Sequence, residues 1–383
     1  MTAIAPPANN AANASNANMQ ARQLILANAV DMWLPIASGA IAAIGNTVNV
    51  PLRNVGLIKR LVIKITGNIA QGAAETQNLT TLGLANVLSN VTFTDLANQQ
   101  RVNTSGWHLT HLATARRQFA FGAAYTSDTP FGYGSKFKVQ SAVAAVTTVQ
   151  PFTVFYEVPI SYGDFDLRGA IYASVVNATM NLAFTINPTF GVATGANATL
   201  AVYQSTTAQL PLVTALNYTV YQNFLDQLPM TQQGPVLPGL DLATAYLLNF
   251  TNVTPLVNAQ DNPVPYANFR NFLSTTVVLD NNGVLGTGTE INYFSLQSAN
   301  YTNIWKIDPF LGKLWEREIM QDDFPLGNYY FDHRRKPIST VQYGNMQLII
   351  NPVGLNAAAV AYVGWEALAI VSQITNAGSL YGV

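Results

Sequence analysis

The chain has 383 residues and a formal net charge of −1, and only 10% of its residues are Asp, Glu, Lys or Arg, against about 25% in an ordinary globular protein. The near-neutral balance argues against direct nucleic-acid binding, and the absence of cysteine excludes disulfides, thiolate metal sites and cysteine nucleophiles. A polar, nearly uncharged surface creates little repulsion between copies and is compatible with dense self-association, although a secreted β-protein with Asn and Thr in its loops has the same composition.

The N-terminal part predicts a flexible arm followed by a short helix. Residues 1–20 lack the basic and apolar regions of a secretory signal. The segment Ala17–Val30, ANMQARQLILANAV, contains strong helix formers without Pro or Gly. Its apolar part is Leu24–Leu26, and Pro35 and Gly39 stop the helix from continuing.

From residue 46 onward the dominant pattern is that of short strands separated by Gly, Asn and Pro turns. Because most of them have no helix between them, they predict antiparallel sandwiches rather than a parallel α/β sheet. The apolar window 357–374 is interrupted by Gly364, Glu366 and Ser372, which favours two short strands over a membrane-spanning helix. The predicted strands are TVNVPL, LIKRLVIKITGNI, NVTFTDL, PFTVFYEVPI, TMNLAFTI, ATLAVYQ and LNYTVYQNFL, then TAYLLNF, FLSTTVVLD, INYFSLQ, PISTVQYG, MQLIINPV and AVAYVGWEALAI.

A segment rich in proline, DQLPMTQQGPVLPGL (Asp226–Leu240), is the best candidate linker between two β-domains. The order of elements repeats on its two sides, since each half has two strands followed by a helix, which begins near Thr104 in the first half and near Asp308 in the second. This predicts an all-β chain with an N-terminal arm and short helix at 1–45, a first β-domain at 46–235, and a second β-domain with a C-terminal arm at 236–383.

The stretch RVNTSGWHLTH contains two of the three histidines of the chain. It predicts a helix capped by Thr104 or Ser105, with His108 and His111 on one face. A serine beside histidines also suggests nucleophilic catalysis, and paired imidazoles suggest a metal site. The remaining histidine, His333, brings no cysteine partners and no Gly-x-Ser-x-Gly motif surrounds the serine, so packing is the favoured interpretation.

Charge is concentrated between Lys306 and Lys336, which hold twelve of the thirty-seven charged side chains. The stretch LGKLWEREIMQDDF predicts an amphipathic helix whose Leu314, Trp315 and Ile319 face a sheet. Its charges, Lys313, Glu316, Arg317 and Glu318, form either ion pairs on a solvated helix or salt bridges to a neighbouring copy.

A basic cluster follows at His333-Arg334-Arg335-Lys336. It suits anionic lipid headgroups, or an ion network with Asp322, Asp323 and Asp332, within the chain or between subunits. The pairs Asp164 with Asp166 and Asp322 with Asp323 are typical of turns and helix starts. The candidate intersubunit or headgroup charges are Arg317, Arg334, Arg335 and Lys336.

Six stretches occur in the same order and at similar spacing as in a known family. They are MQARQLILA, NVGLIKRLVIKIT, NQQRVNTSGWHL, YTVYQNFLDQLP, INYFSLQSANYT and VQYGN. From about Met19 to Gly378 the chain resembles the major capsid protein of tectiviruses, tailless phages with an internal membrane. That resemblance implies a double jelly roll, with two eight-stranded antiparallel sandwiches and short flanking helices. It also implies pseudo-hexagonal homotrimers that tile an icosahedral shell.

The resemblance further implies a location in the virion after synthesis in the host cytoplasm, with no cofactor, metal or catalytic residue. Its partners would be further copies, vertex and minor capsid proteins and the internal membrane surface. Residues 1–16 and DHRRKP depart from the family pattern. The alternative functions are a receptor- or glycan-binding spike and a cupin-type enzyme, which would need a His/Glu metal cluster. The residues implied for the helix on the inner side, facing the membrane, are Met19, Arg22, Leu24, Ile25 and Leu26.

Overall fold

The computed structural model describes residues 8–70, 77–79, 83–116, 125–126, 150–174, 179–189, 191–192, 203–205, 212–237, 244–253, 256–268, 270–320, 324 and 326–370. In chain order, the first half contains α1 (Ala8–Asn28), β1 (Val30–Ala40), β2 (Thr47–Pro51), β3 (Leu57–Ala70), β4 (Gln77–Leu79), a 3-10 helix (Gly83–Asn86), β5 (Leu88–Thr94), β6 (Gln100–Thr104), α2 (Gly106–Arg116), β7 (Tyr125–Thr126), β8 (Gln150–Pro159), β9 (Ile171–Tyr172), β10 (Asn181–Ile186), β11 (Gly191–Val192), β12 (Tyr203–Ser205), β13 (Leu212–Asp226), β14 (Met230–Thr231) and β15 (Gly234–Pro235). The second half contains β16 (Thr244–Val253), β17 (Asn262–Pro265), β18 (Arg270–Asp280), β19 (Ile291–Ser298), β20 (Trp305–Ile307), α3 (Pro309–Met320), β21 (Asn328–Asp332), β22 (Ile338–Ser339), α4 (Thr340–Tyr343), β23 (Met346–Pro352) and β24 (Val360–Ile370).

Two sheets packed face to face form the first roll. One sheet has the order β1-β13-β3-β8-β7, and the other begins with the order β2-β10-β5-β6. Alternate residues point inward, as a strand period of two requires, so that Ile63 and Ile65 of β3 share a core cluster with Phe93 of β5 and Phe184 of β10. The predicted antiparallel sandwich is therefore confirmed in this half.

The second roll repeats the first, strand for strand. Its sheets have the orders β16-β24-β18-β21 and β17-β23-β19-β20. Each of these strands has a counterpart at the same position in a sheet of the first roll. Helix α2 follows β6, the last strand of the order β2-β10-β5-β6, and α3 follows β20, the last strand of the order β17-β23-β19-β20. The weak repeat of element order seen in the sequence therefore corresponds to a repeat of topology.

The two rolls share a sheet and a core. Strand β6 of the first roll pairs in parallel with β16 of the second, where Val102 lies opposite Leu248. This pairing makes one nine-stranded sheet that runs through both rolls. The first core cluster also takes in side chains of the second roll, namely Tyr246, Leu248, Leu273, Phe324, Tyr330 and Leu368.

The structure differs from the sequence prediction at four places. Residues 30–40 lie in the part predicted as N-terminal arm and helix, but they form β1 and pair with β13. The predicted strand PISTVQYG is instead the short β22 followed by α4. The described part of the window 357–374, which ends at residue 370, holds one strand, β24, that continues through Gly364. The predicted linker contains the small hairpin β14–β15.

Candidate assembly surfaces and the helix between the rolls

Helix α2 begins within the stretch RVNTSGWHLTH and lies between the two rolls. Its inner side places Leu109 and Leu112 in the core of the first roll. Its outer side places Trp107 in a cluster with Val278 and Tyr362 of the second roll. Nine of its eleven residues are buried, so the helix joins the rolls and offers no open surface.

His108 is buried and neutral. Its Nδ1 lies 2.6 Å from the Thr104 hydroxyl oxygen, and its ring rests on Gly364 of β24. Burial, together with the smaller effects of the nearby His111 and Arg116, lowers the pKa of His108 to about 3. The imidazole therefore acts as a packing group at neutral pH.

His111 is held in the same way, and no Ser–His pair forms beside it. Its Nδ1 donates a hydrogen bond of 2.7 Å to the Trp107 carbonyl, and its ring centroid lies 4.3 Å from that of Phe324. Burial lowers the pKa of His111 to about 3. Ser105 stands at the predicted N-cap position, since its carbonyl accepts from the Leu109 N–H at 3.2 Å. Its hydroxyl has no hydrogen-bond partner among the described residues, and the hydroxyl of the other candidate, Thr104, contacts His108, so the side-chain bond of a cap is not made.

The described residues contain no group of three or more His, Cys, Asp or Glu side chains that could hold a metal ion. The contacts of His108 with Gly364 and of His111 with Phe324 are those of packing groups. The arrangement supports the packing interpretation of the helix.

A buried ion pair that the sequence analysis missed ties α2 to the second roll. Arg116 pairs with Glu366 of β24 and donates hydrogen bonds to the Tyr246 hydroxyl at 2.6 Å and the Tyr162 carbonyl at 3.1 Å. The Ser274 hydroxyl donates to the Glu366 carboxylate at 2.8 Å. The lone carboxylate of Glu366 inside an apolar strand was the available signal, since such a charge needs a partner.

The charged pair of α3 is buried inside the chain. Lys313 Nζ donates to the Glu316 carboxylate at 3.2 Å and to the Phe324 carbonyl at 3.0 Å, and Glu316 accepts from the Tyr330 N–H at 3.2 Å. Burial raises the pKa of Glu316 to about 7, which the Lys313 charge opposes. The predicted ion pair within the helix is therefore present, but for this pair the predicted solvated face is wrong, because both side chains are buried. Arg317 is exposed.

Three large apolar side chains on the outer face of α3 are left exposed by the described residues. Phe310 is 59% exposed, Leu311 46% and Leu314 62%. The prediction that Leu314 faces a sheet is therefore wrong for the single chain, whereas Trp315 and Ile319 are half-buried and pack against core residues. No other described helix presents three large apolar side chains together in this way.

The basic cluster divides into buried and exposed members. His333 is buried, and its ring centroid lies 6.2 Å from that of Trp305. Arg334 Nε donates to the Asp332 carboxylate at 2.9 Å, which is the ion network within the chain proposed as one alternative. Arg335 and Lys336 are exposed. Outside the described residues lie the other two acids of that predicted network, Asp322 and Asp323.

The acidic pair before β9 is surrounded by arginines. Asp166 accepts from Arg168 Nε at 2.9 Å and from Arg22 of α1 at 3.3 Å. Asp164 pairs with Arg60 at 2.9 Å. Two of these three arginines, Arg22 and Arg60, come from distant positions in the chain, so their closeness to the acidic pair is not visible from the local sequence.

Helix α1 has one buried and two exposed apolar side chains in its predicted membrane-facing part. Ile25 is fully buried in a cluster with Leu57 of β3, and Leu26 packs beside it. Met19 is 48% exposed and Leu24 46%. Ile25 is thus committed to the chain's own core, and only Met19 and Leu24 remain available to a surface. Among the described helices, none has both the length and the hydropathy that a membrane span needs.

Comparison with known proteins identifies the family. The family model described as the P3 major capsid protein N-terminal domain matches residues 2–228. The model described as its C-terminal domain matches residues 243–382. Together the two matches cover both rolls.

Individual proteins agree with these models. The chain is 36% identical over 370 residues to the major capsid protein P3 of Enterobacteria phage PRD1, covering 95% of this chain and 94% of that protein. The STIV major capsid protein shares the fold with a TM-score of 0.64 at 10% identity, covering 91% of this chain and 99% of that one. The PBCV-1 virus capsid model follows with a TM-score of 0.55 at 12% identity, covering 90% and 95%. The chain therefore belongs to the P3 major capsid protein family and is a double jelly-roll structural protein of the virus capsid, not an enzyme.

Proposed function

We propose that three copies of this chain form a closed, pseudo-hexagonal trimer. The trimer would be the repeating unit of an icosahedral shell around an internal membrane, completed by vertex and minor capsid proteins. The observation that carries this proposal is the head-to-tail contact between the two rolls of one chain.

The contact between the rolls joins two different surfaces. The first roll contributes β6 and α2, and the second contributes β16 and the outer face of its sheet. A contact between unlike surfaces leaves one copy of each surface unused at the two ends of the chain. Such head-to-tail contacts form rings when the rotation closes.

Three chains supply six rolls to a ring. Six equal rolls around one axis give a hexagonal outline, which packs without gaps in a plane. The low content of charged residues in the chain, 10%, supports close packing because it reduces repulsion between copies.

Solution mass tests the trimer. Three chains of 41.3 kDa amount to about 124 kDa, which is the expected mass by light scattering at micromolar concentration. A stable monomer in mild buffer would contradict the proposal. Binding of soluble glycans by a trimer that cannot enter a shell would instead favour the spike alternative.

We further propose that the exposed side of α1 faces the internal membrane. Ile25 fixes the last turns of the helix on the roll, and the ion pair of Arg22 with Asp166 holds it at 3.3 Å. This attachment leaves Met19 and Leu24 exposed. Apolar side chains on a helix surface bury into the headgroup region of a bilayer.

Vesicle flotation tests the membrane contact. Wild-type protein should float with vesicles of phosphatidylethanolamine and phosphatidylglycerol, and Leu24→Asp should reduce the bound fraction several-fold. Gln23→Asp is the control, because Gln23 is also exposed and receives the same charge without losing an apolar group. Equal binding by wild type and Leu24→Asp, or an equal loss in both variants, would count against a membrane role for Leu24.

A further inference from the structure

In the first roll, the outward face of the helix after β6 is covered by the second roll. The Trp107 ring centroid lies 5.7 Å from that of Phe250, and Trp107 also clusters with Tyr362. His108, the next residue, rests on Gly364. The chain therefore contains one complete contact between the helix of one roll and the outer sheet of the next.

Helix α3 occupies the same place in the second roll. Strand β20 is the counterpart of β6 in sheet order, and each helix begins two residues after its strand ends. Counting from the first residue of each helix therefore aligns the two. The resulting pairs are Phe310 with Trp107, Leu311 with His108, and Leu314 with His111.

The inward faces of the helices support this alignment independently. Leu109 and Leu112 of α2 lie in the core of the first roll. Their counterparts in α3 are Gly312 and Trp315. Gly312 faces Phe331, which lies 3.6 Å from the position of an added Cβ, and the Trp315 ring centroid is 6.4 Å from that of Phe331. Both helices thus turn the same side toward their own roll.

The positions that α2 buries against the second roll are therefore the exposed ones in α3. Trp107 is 2% exposed, whereas its counterpart Phe310 is 59% exposed. Leu314, the counterpart of the fully buried His111, is 62% exposed. The second roll covers this face of α2, whereas no third roll follows in the described part of the chain to cover the same face of α3.

A shared β-bulge identifies the surface that would cover α3. In β18 the extra residue is Leu273, opposite Glu366 and Ala367 of β24. In β3 the extra residue is Lys59, opposite Asn223 and Phe224 of β13. Superposing the bulges aligns Asn223 with Glu366.

Two residues before these positions, Tyr221 of β13 aligns with Gly364 of β24. Gly364 is the residue against which the His108 ring of α2 packs, so Tyr221 marks the counterpart of that contact surface. Pro35 of β1 pairs with Tyr221 as Phe250 pairs with Gly364. Both side chains are accessible on the first roll, since Pro35 is exposed and Tyr221 half-buried.

The neighbouring strand edges agree with this arrangement. Within the chain, β6 pairs with the edge of the second roll at Leu248 of β16. The counterpart of β6 is β20, and the counterpart of Leu248 in β16 is Trp33 in β1. Among the described residues, β20 and β1 are each the outermost strand of their sheet. Trp33 is 39% exposed. Unpaired edges of this kind are ready templates for pairing with another chain.

We infer that Phe310, Leu311 and Leu314 of one copy pack against the Trp33, Pro35 and Tyr221 face of the next copy. This seam rests on the proposed trimer and assigns its subunit contact to two specific surfaces. The contact inside the chain is its template. Repeated three times, it uses both free surfaces of every copy and closes the ring.

A charge on α3 tests the seam. Leu314→Asp should lower the solution mass from about 124 kDa to the 41.3 kDa of one chain, with an unchanged circular dichroism spectrum. Val284→Asp is the control, because Val284 is also 62% exposed and lies outside the seam; it should stay trimeric. A trimeric Leu314→Asp variant overturns the seam and leaves the trimer standing, whereas a monomeric wild type overturns both.

Cross-linking provides a second test that does not depend on a disruptive charge. The chain has no cysteine, so Leu311→Cys combined with Tyr221→Cys places the only thiols at the seam. A short bismaleimide should link this double variant into covalent dimers and trimers on a reducing gel. Val284→Cys combined with Tyr221→Cys should remain single chains. If the Leu311/Tyr221 variant forms trimers without covalent links, the seam is wrong.

Discussion

Gly364 determines how closely α2 approaches the second roll. A Cβ added at this position would lie 2.6 Å from Cδ2 and 2.7 Å from Nε2 of His108, inside van der Waals contact. The ring cannot move away freely, because the Thr104 hydroxyl holds its other nitrogen at 2.6 Å. One glycine in β24 therefore permits the contact of a whole helix.

Gly364→Ala should destabilise the protein by about 1–3 kcal/mol, the usual cost of overpacking a core. Gly312→Ala is the matched control, because its new Cβ would meet atoms only at 3.6 Å or beyond. That change should stabilise α3 by about 0.5–1 kcal/mol, since glycine is unfavourable inside a helix. Denaturant unfolding at one protein concentration measures both. Equal stability of the two variants would show that α2 tolerates displacement from β24.

Among the elements, the long strands and the helices α2 and α3 could be predicted from the sequence. Strand β3 alternates large apolar residues at the spacing that a sheet buries, with Leu61, Ile63 and Ile65 all fully buried. The pattern is local, so one stretch of sequence contains it. The same holds for α2, whose inner side follows the three- and four-residue spacing of a helix.

Two elements were wrongly predicted, because distant residues decide their structure. Pro35 and Gly39 suggest a break, yet β1 is a strand, since the edge of a sheet tolerates proline and β13 supplies its partner. In PISTVQYG, Thr340 accepts from the Arg270 N–H at 2.9 Å, and this contact ties the segment beside β18. Neither partner is visible from the local pattern.

The exposed face of α3 shows a different limit of predicting burial from the sequence. The apolar pattern predicts that Leu314 is buried, but the side chain is 62% exposed in the single chain. Under the proposed seam, the pattern is correct for the assembled molecule, because a neighbouring copy buries that face. Sequence periodicity reports burial in the final assembly and does not distinguish a chain's own core from an interface.

At the scale of the whole molecule, the two rolls are coupled through one core and one buried ion pair. Side chains of both rolls share the first core cluster. Arg116 and Glu366 cross the boundary, with side chains 6% and 0% exposed. Because a buried charge without its partner is costly, separation of the rolls would expose apolar surface and break this pair together.

Glu366→Gln should therefore destabilise the protein by about 3–5 kcal/mol, the cost of leaving a buried charge unpaired. Asp166→Asn is the control, because Asp166 pairs with Arg168 near the surface, where a pair contributes about 1 kcal/mol or less, with side chains 25% and 34% exposed. Thermal unfolding of each variant measures the difference. Similar losses in the two variants would contradict a special role for the pair between the rolls.

A double-mutant cycle separates coupling of the rolls from simple loss of a charge. Arg116→Met combined with Glu366→Leu removes both charges and fills the space with apolar groups. Its loss of stability should be smaller than the sum of the single losses, since neither charge is left unpaired.

If the rolls form one cooperative unit, each single variant should also keep one unfolding transition in calorimetry. Two transitions in Glu366→Gln, with the first roll melting separately, would show that the shared core alone does not hold the rolls together.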